Sequence, residues 1–260
     1  MSQLTTLFWG IIIVGGITVL ATVGALLVRR WVPVEVLERH NEVAGFIYSV
    51  IGVMYAVLLG FTAIIVWERY DQAQTAVEKE ANELGDLFRD AQAFPDEVRK
   101  EIEAKLRSYI RLVVEKEWPA MAENKPSLET MDAFNQLRQT YLRFIPQTEQ
   151  ERIWFTQSLT SLNELNDQRR LRLLSNRSTG IPAVMWVVLL GAGAVTISFS
   201  FLFGTRNTAA QLLMTAGLAL TISLVLLSVV ALERPFAGIA RVEPDAFNQL
   251  NFMLDRLTGR

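Results

Sequence analysis

Six small residues, Gly45, Ser49, Gly52, Ala56, Gly60 and Ala63, recur on one side of a helical wheel drawn for residues 43–67. Beside them run Tyr48, Tyr55 and Thr62, spaced by seven. The stretch is otherwise apolar and free of charge from Val43 to Trp67. In lipid, small residues in a row let helices approach closely, because packing rather than hydrophobicity drives association there. Hydroxyls facing lipid would be unsatisfied, so the second row must meet another helix or water. Two readings stay open at this point. The hydroxyls bond across a bundle seam, or they line an aqueous pore together with the small residues. An apolar pore is compatible with conduction, since hydrophobic constrictions gate by dewetting and hydroxyls ease an ion through. The candidate pore-lining set is Ser49, Gly52, Tyr55, Ala56, Gly60, Thr62 and Ala63.

Two carboxylates follow apolar runs directly, each with an arginine after it: Glu68-Arg69 and Glu233-Arg234. Their chemistry suits ion pairs at a membrane interface, fixing helix ends or acting in gating. Glu83, Asp86 and Asp90 put three carboxylates on one helix face, an oxygen cluster of the kind hard cations bind, although such a face is ordinarily solvated. The single histidine, His40, sits beside Arg39 in what reads as a short loop. With one His, no Cys and no acid or base inside the apolar runs, no catalytic constellation can be drawn. No cofactor or metal is expected, and the chain does not read as an enzyme. Missing intramembrane charge also argues against a proton-coupled pump or a voltage sensor. Gly191-Ala192-Gly193 lies in an apolar helix and is no nucleotide loop.

The elements that position these residues are four charge-free apolar runs, roughly Ser2–Val28, Val43–Trp67, Ser178–Thr205 and Asn207–Leu232. Each exceeds the ~20 residues needed to cross a ~30 Å hydrocarbon core. The first run has no basic residue before it and ends in Arg29-Arg30, so it reads as a retained membrane helix rather than a cleaved leader. About 37 of the 52 charged residues fall between Glu68 and Arg177. The predicted class is therefore an all-α membrane protein, with four transmembrane helices and a cytosolic helical bundle inserted between helices 2 and 3. The segments are 1–67, 68–177, 178–232 and a C-terminal tail at 233–260. Net charge is −2, which leaves no nucleic-acid footprint. Lys and Arg are more frequent on the side holding both termini and the insertion, which places these in the cytoplasm of a bacterium; Arg29 and Arg30 run against that bias.

The insertion reads as helix throughout. Tyr70, Val77, Leu84 and Ala91 repeat every seven residues, with Ala73 or Gln74, Ala81 and Phe88 on the second seam. Phe94-Pro95-Asp96 breaks the pattern. Val98, Ile102, Leu106, Tyr109 and Val113 share the next face, which should end near Trp118-Pro119. A third segment carries Met131, Phe134, Leu137, Tyr141 and Ile145. Thr148-Glu149-Gln150-Glu151 is a capping box for a fourth. Acids dominate residues 68–103 and bases dominate 152–177, so these stems can lie side by side, as solvated faces of a bundle or as a charged vestibule that draws ions in.

Three segments resemble the bestrophin-like family of bacterial membrane proteins. They are Tyr55-Ala56-Val57-Leu58-Leu59-Gly60-Phe61 with the exit Val66-Trp67-Glu68-Arg69-Tyr70 and Glu78/Glu80; Tyr109 with Glu117-Trp118-Pro119; and Leu232-Glu233-Arg234-Pro235-Phe236-Ala237-Gly238 followed by Val242-Glu243-Pro244-Asp245-Ala246-Phe247. The resemblance covers nearly the whole chain. It implies similarity to bestrophins, pentameric anion channels with four membrane helices, a long cytosolic helical portion and a pore lined mainly by the second helix. Pro235-Phe236 is similar to the Pro-Phe-Gly that precedes the bestrophin calcium clasp, but Ala237 intervenes before Gly238 and the acidic run is absent, so calcium gating is not implied.

The expected function is a homo-oligomeric ion channel, anion-conducting, with its pore lined by the second membrane helix. Its partners would be further copies of itself (five, by the resemblance), the lipid bilayer and small inorganic ions. The rival is a non-conducting membrane scaffold or stress-response adaptor whose cytosolic bundle binds a partner.

Overall fold

A long apolar run in lipid must satisfy its backbone internally, and a helix does so within one segment. In the computed structural model, which describes residues 3–177 and 180–257, every regular element is helical and no strand occurs among the described residues. The ends of the predicted segments at residues 1–2, 178–179 and 258–260 lie outside them. Helix α1 spans Gln3–Trp31, α2 Val34–Asp90, α3 Asp96–Leu112, α4 Trp118–Ala122, α5 Leu128–Arg143, α6 Glu149–Arg177, α7 Ala183–Phe199, α8 Thr208–Leu232 and α9 Asp245–Leu257. Four of these, α1, α2, α7 and α8, are long and apolar enough to cross a membrane. The chain divides into two units, residues 3–68, 180–234 and 238–240 in one and residues 69–177, 235–237 and 241–257 in the other.

In the first unit α1 packs along α8. The stretch around His40 is not the short loop the sequence suggested. Helix α1 runs on to Trp31, the chain turns over Val32 and Pro33, and α2 begins at Val34. Proline has no N–H to give the preceding helix, yet its carbonyl accepts from Val36 and Leu37 and so starts the next one. His40 consequently sits in the second turn of α2, with Nδ1 2.9 Å from the Val36 carbonyl. The turn between α7 and α8 is clamped. Asn41 donates to the Gly204 carbonyl at 2.7 Å and accepts from its N–H at 2.9 Å. Arg29 donates to the Thr205 carbonyl, the Arg206 carbonyl and Gln211 Oε1 at 2.7, 3.0 and 2.8 Å. A β-carbon at Gly204 would lie 2.5 Å from the Glu38 nitrogen, so only glycine permits this approach.

The second unit has one apolar core, built from Leu84, Leu87 and Phe88 of α2, Ile102, Leu106 and Tyr109 of α3, Leu137 and Tyr141 of α5, Leu165 of α6, and Phe247 and Leu250 of α9. The heptad seam of α2 is consumed here: Ala73, Val77, Ala81, Leu84 and Phe88 are buried within this chain, while Gln74 is exposed. The expected stop at Trp118-Pro119 does not occur. A π turn over Val113–Glu117 carries the helix into α4, and Pro119 falls in its first turn. The wider turn shifts the hydrogen-bond register where proline has no N–H to give, and brings the adjacent Glu117 and Trp118 both to the interior. The buried face of α5 is Thr130, Ala133, Phe134, Leu137, Thr140 and Tyr141; Met131 and Ile145, expected on it, are exposed. The capping box is formed, with Glu151 N–H donating to Thr148 Oγ1 at 3.1 Å and Thr148 N–H to Glu151 Oε2 at 3.4 Å. The stretch expected as a tail supplies α9, whose Phe247, Leu250 and Leu254 are buried in this core.

Candidate functional site

The membrane portion of α2 uses its two rows differently. Tyr55 and Thr62 are each 5% exposed and join Leu59 and Val66 on the face covered by the chain's own helices. Tyr48 packs against the rings of Phe199 and Phe203, with centroids 5.9 and 5.3 Å away. Gly193 of α7 makes room for Tyr55, since a β-carbon there would lie 2.8 Å from the phenol oxygen. The small row is covered only at its ends, where Gly45 lies near the Phe203 ring and Ala63 packs against the cluster of Val66, Ile181 and Val229. Ser49 and Ala56 are exposed, Gly52, Gly60 and Ala63 half-buried, and nothing lies within 4 Å of where a β-carbon on Gly52 or Gly60 would stand. The hydroxyls do not bond across the seam. Thr62 donates to the Leu58 carbonyl at 2.8 Å and Ser49 to the Gly45 carbonyl at 2.7 Å, one turn back on their own helix. Thr196 of α7 and Thr221 of α8 do the same. The Tyr55 hydroxyl is buried with no partner among the described residues.

The interfacial carboxylates also part company. Glu233 forms no ion pair with Arg234. It accepts from the Ile181 N–H at 2.8 Å and from Trp186 Nε1 at 3.3 Å, closing the entry to α7. A carboxylate there meets the positive end of the α7 dipole. Gly180, with φ +63°, lies so close that its β-carbon would collide with the Glu233 carboxylate. Glu68 and Arg69 are exposed.

Glu83, Asp86 and Asp90 do not converge on one point. Asp86 pairs with Arg89, and Asp90 accepts from Ser158 at 3.2 Å. No group able to hold a metal ion is found among the described residues. Burial first, and then the hydrogen bond and charge of Glu164, push the Glu83 carboxyl above its ordinary range. Burial also raises Asp90, more than Ser158 and Arg89 lower it.

The densest polar site lies in the second unit. Arg172 is fully buried. Its Nε donates to Glu80 Oε2 at 2.6 Å, and its Nη2 donates to Glu80 Oε1 at 3.0 Å and Glu117 Oε2 at 2.7 Å. Arg169 Nη2 donates to Glu117 Oε1 at 2.6 Å, and Tyr109 Oη to Glu80 Oε1 at 2.7 Å. Two arginines thus face two glutamates, so the buried charge balances. The Arg172 guanidinium also lies over the rings of Trp118 and Phe247, 5.3 and 5.8 Å from their centroids. Trp118 in turn donates to the Val242 carbonyl and packs edge-on against Phe236. Burial opposes the charge on Arg172, but Glu80 and Glu117 outweigh it and hold the guanidinium's pKa above its usual value. Burial, with the Glu80 charge added, keeps the Tyr109 phenol protonated. Sequence reasoning missed Arg172 as a member of any site. The available signal was a single arginine in α6 at the register of Ser158, Ser161, Leu162 and Leu165, the buried face of that helix.

Seven of the residues that carried the family resemblance meet in or against this network: Glu80, Tyr109, Glu117, Trp118, Phe236, Val242 and Phe247. The fold is similar to crystal structures of a bacterial bestrophin homologue from Klebsiella pneumoniae. One mutant form is 15% identical with a TM-score of 0.72, over 95% of this chain and 99% of the other. Another is 17% identical with a TM-score of 0.71, over 96% and 99%. At that identity the likeness is one of fold. A comparison with curated proteins gives no match. The family model described as Bestrophin-like domain matches residues 3–247, and the chain therefore belongs to the bestrophin-like family.

Proposed function

We propose that this protein is a homo-oligomeric ion channel of a bacterial inner membrane, anion-conducting and pentameric, with its pore lined by the membrane portion of α2. One observation carries the reading: the face of α2 bearing Ser49, Gly52, Ala56 and Gly60 is left largely bare by the chain's own helices, while Ala63 and the adjacent Tyr48–Tyr55–Thr62 row are spent on packing within the chain. Small side chains on an uncovered membrane helix suit close packing around a symmetry axis. Tyr55 and Thr62 then set the rotation of α2 rather than touch the ion. The anion preference and the subunit number come from the resemblance to bestrophins. The termini and residues 68–177 are cytoplasmic in this reading. Arg29, which weighs against that orientation, is occupied by the carbonyls of the α7–α8 turn.

Purified protein in planar bilayers should pass chloride current, and Gly60→Trp should reduce it without changing the oligomer's elution volume. Silence from folded, oligomeric protein across repeated reconstitutions refutes the proposal and favours the non-conducting scaffold.

A further inference from the structure

A small cavity of about 110 Å³ opens in the second unit between the α4–α5 loop and the end of α6. Its walls carry three cationic side chains, Lys125, Arg169 and Arg177, with the amides of Asn124 and Asn176 and the start of α5 at Ser127. One carboxylate, Glu117, also reaches it. Glu117 is already held by Arg169 at 2.6 Å and Arg172 at 2.7 Å, so its charge is answered from the interior side.

The cations are not equally committed. Arg169 uses Nη2 on Glu117, and its buried Nε has no partner among the described residues. Lys125 pairs only with exposed Glu123, in a contact open to solvent on both sides. Such a pair contributes little and exchanges readily. Arg177 forms no ion pair among the described residues. Ser127 caps α5 through Thr130 N–H, and the N–H groups of Leu128 and Glu129 remain without a partner there. The first N–H groups of a helix have no acceptor inside it and carry the positive end of its dipole.

We propose that this cavity binds a phosphate group. The cavity is small and opens to solvent, and it has room for a tetrahedral oxyanion. The donors set the charge. Cationic side chains from the α4–α5 loop and from α6, together with the first N–H groups of α5, match an anion with several oxygens, and charge-assisted bonds to phosphate are the strong kind. The phosphate is either free inorganic phosphate or the headgroup of an anionic lipid. Arg177 stands six residues before the first residue of α7, which makes the second source reachable along the chain.

The test uses the full-length protein purified in detergent and stripped of lipid. Sodium phosphate is titrated against sodium chloride of equal ionic strength, and the thermal midpoint is followed. A saturable rise with phosphate and none with chloride is expected. In the double variant Lys125→Gln/Arg177→Gln, both on the surface, the phosphate affinity should fall at least ten-fold while the midpoint without phosphate stays put. Native mass spectrometry after reconstitution with phosphatidylglycerol or phosphatidylcholine separates the sources. Retention of phosphatidylglycerol that is lost in the double variant identifies the headgroup; saturable phosphate binding without lipid retention identifies the free ion. Chloride and phosphate giving equal shifts, or a phosphate response unchanged in the double variant, overturns the proposal.

Discussion

Replacing Arg172 with methionine tests whether the buried network holds the second unit together. The guanidinium makes two bonds to Glu80 and one to Glu117, and all three residues are at most 1% exposed. Methionine is of similar length and makes no charge-assisted bond, so the variant strands one carboxylate with only Tyr109 and leaves the other to Arg169 alone. Removing one partner of a buried ion pair costs about 3–5 kcal/mol, because the remaining charge stays desolvated and uncompensated. For a chain of this size each kcal/mol lowers Tm by ~2–4 °C, so the loss should be about 6–20 °C. The assay is fluorescence-detected size exclusion after heating in detergent, with tryptophan emission as a second probe because Trp118 lies against the guanidinium. The double variant Arg172→Met/Glu80→Gln should recover more than half of the loss, since it removes the stranded charge as well. A loss below about 1 kcal/mol for the single variant, or strict additivity of Arg172→Met and Glu80→Gln, refutes the argument.

Three further outcomes follow from other contacts. Gly204→Ala should lower the yield of folded protein sharply, because the new methyl would press on the backbone of Leu37 and Glu38, whereas Gly52→Ala has open space within the chain and should leave monomer stability unchanged; size exclusion of both variants checks this. Glu83 and Asp90 have carboxyl pKa values raised by burial, so the stability they contribute is full below the unfolded-state values and is lost as pH rises through the folded ones; Tm should therefore rise as pH falls from neutral toward 5, and Glu83→Gln should raise Tm at pH 7.5 while flattening that slope. Glu233→Ala should cost about 1 kcal/mol by removing the acceptor of the Ile181 N–H, seen as a Tm lowered by a few degrees, with Glu233→Gln milder because its amide oxygen still accepts.

Periodicity made most of the helices legible, and it failed where one residue changed the hydrogen-bond register. The four apolar runs could only be helices, and the capping box at Thr148 and Glu151 marked the start of α6 with the bonds it implies. Pro33 and Pro119 misled in opposite ways. One proline divides two helices with so little intervening chain that the charged residues after it belong to the second helix, not to a loop. The other is absorbed by a π turn, which a 3.6-residue wheel does not contain. On the α5 face Phe134, Leu137 and Tyr141 are buried as expected and only Met131 and Ile145 at its ends are not, while Thr130 and Thr140 are buried through hydrogen bonds to Leu112 and Glu101, where polarity alone would place them outside. Arg172 was illegible for the same reason. A charge is assigned to solvent until its partners are known, and its partners are 92 and 55 residues away in sequence.

The resemblance rests on two groups of residues, the Tyr55–Phe61 run, which holds Ala56 and Gly60 of the proposed pore face, and the motif residues of the second unit, and the two groups are constrained differently. Tyr109, Glu117, Trp118 and Phe236 are confined by partners on every side, as a balanced buried charge network requires: a change at one leaves another unsatisfied. Such residues report a shared fold. The bare face of α2 has no such constraint within the chain, since nothing approaches Gly52 or Gly60. Any constraint on those positions must come from other copies, from lipid or from the ion. Bulky substitution at Gly60 therefore discriminates in a way that substitution at Arg172 cannot. Loss of current with the fold intact speaks of a pore, whereas loss of the fold speaks only of the scaffold that carries it.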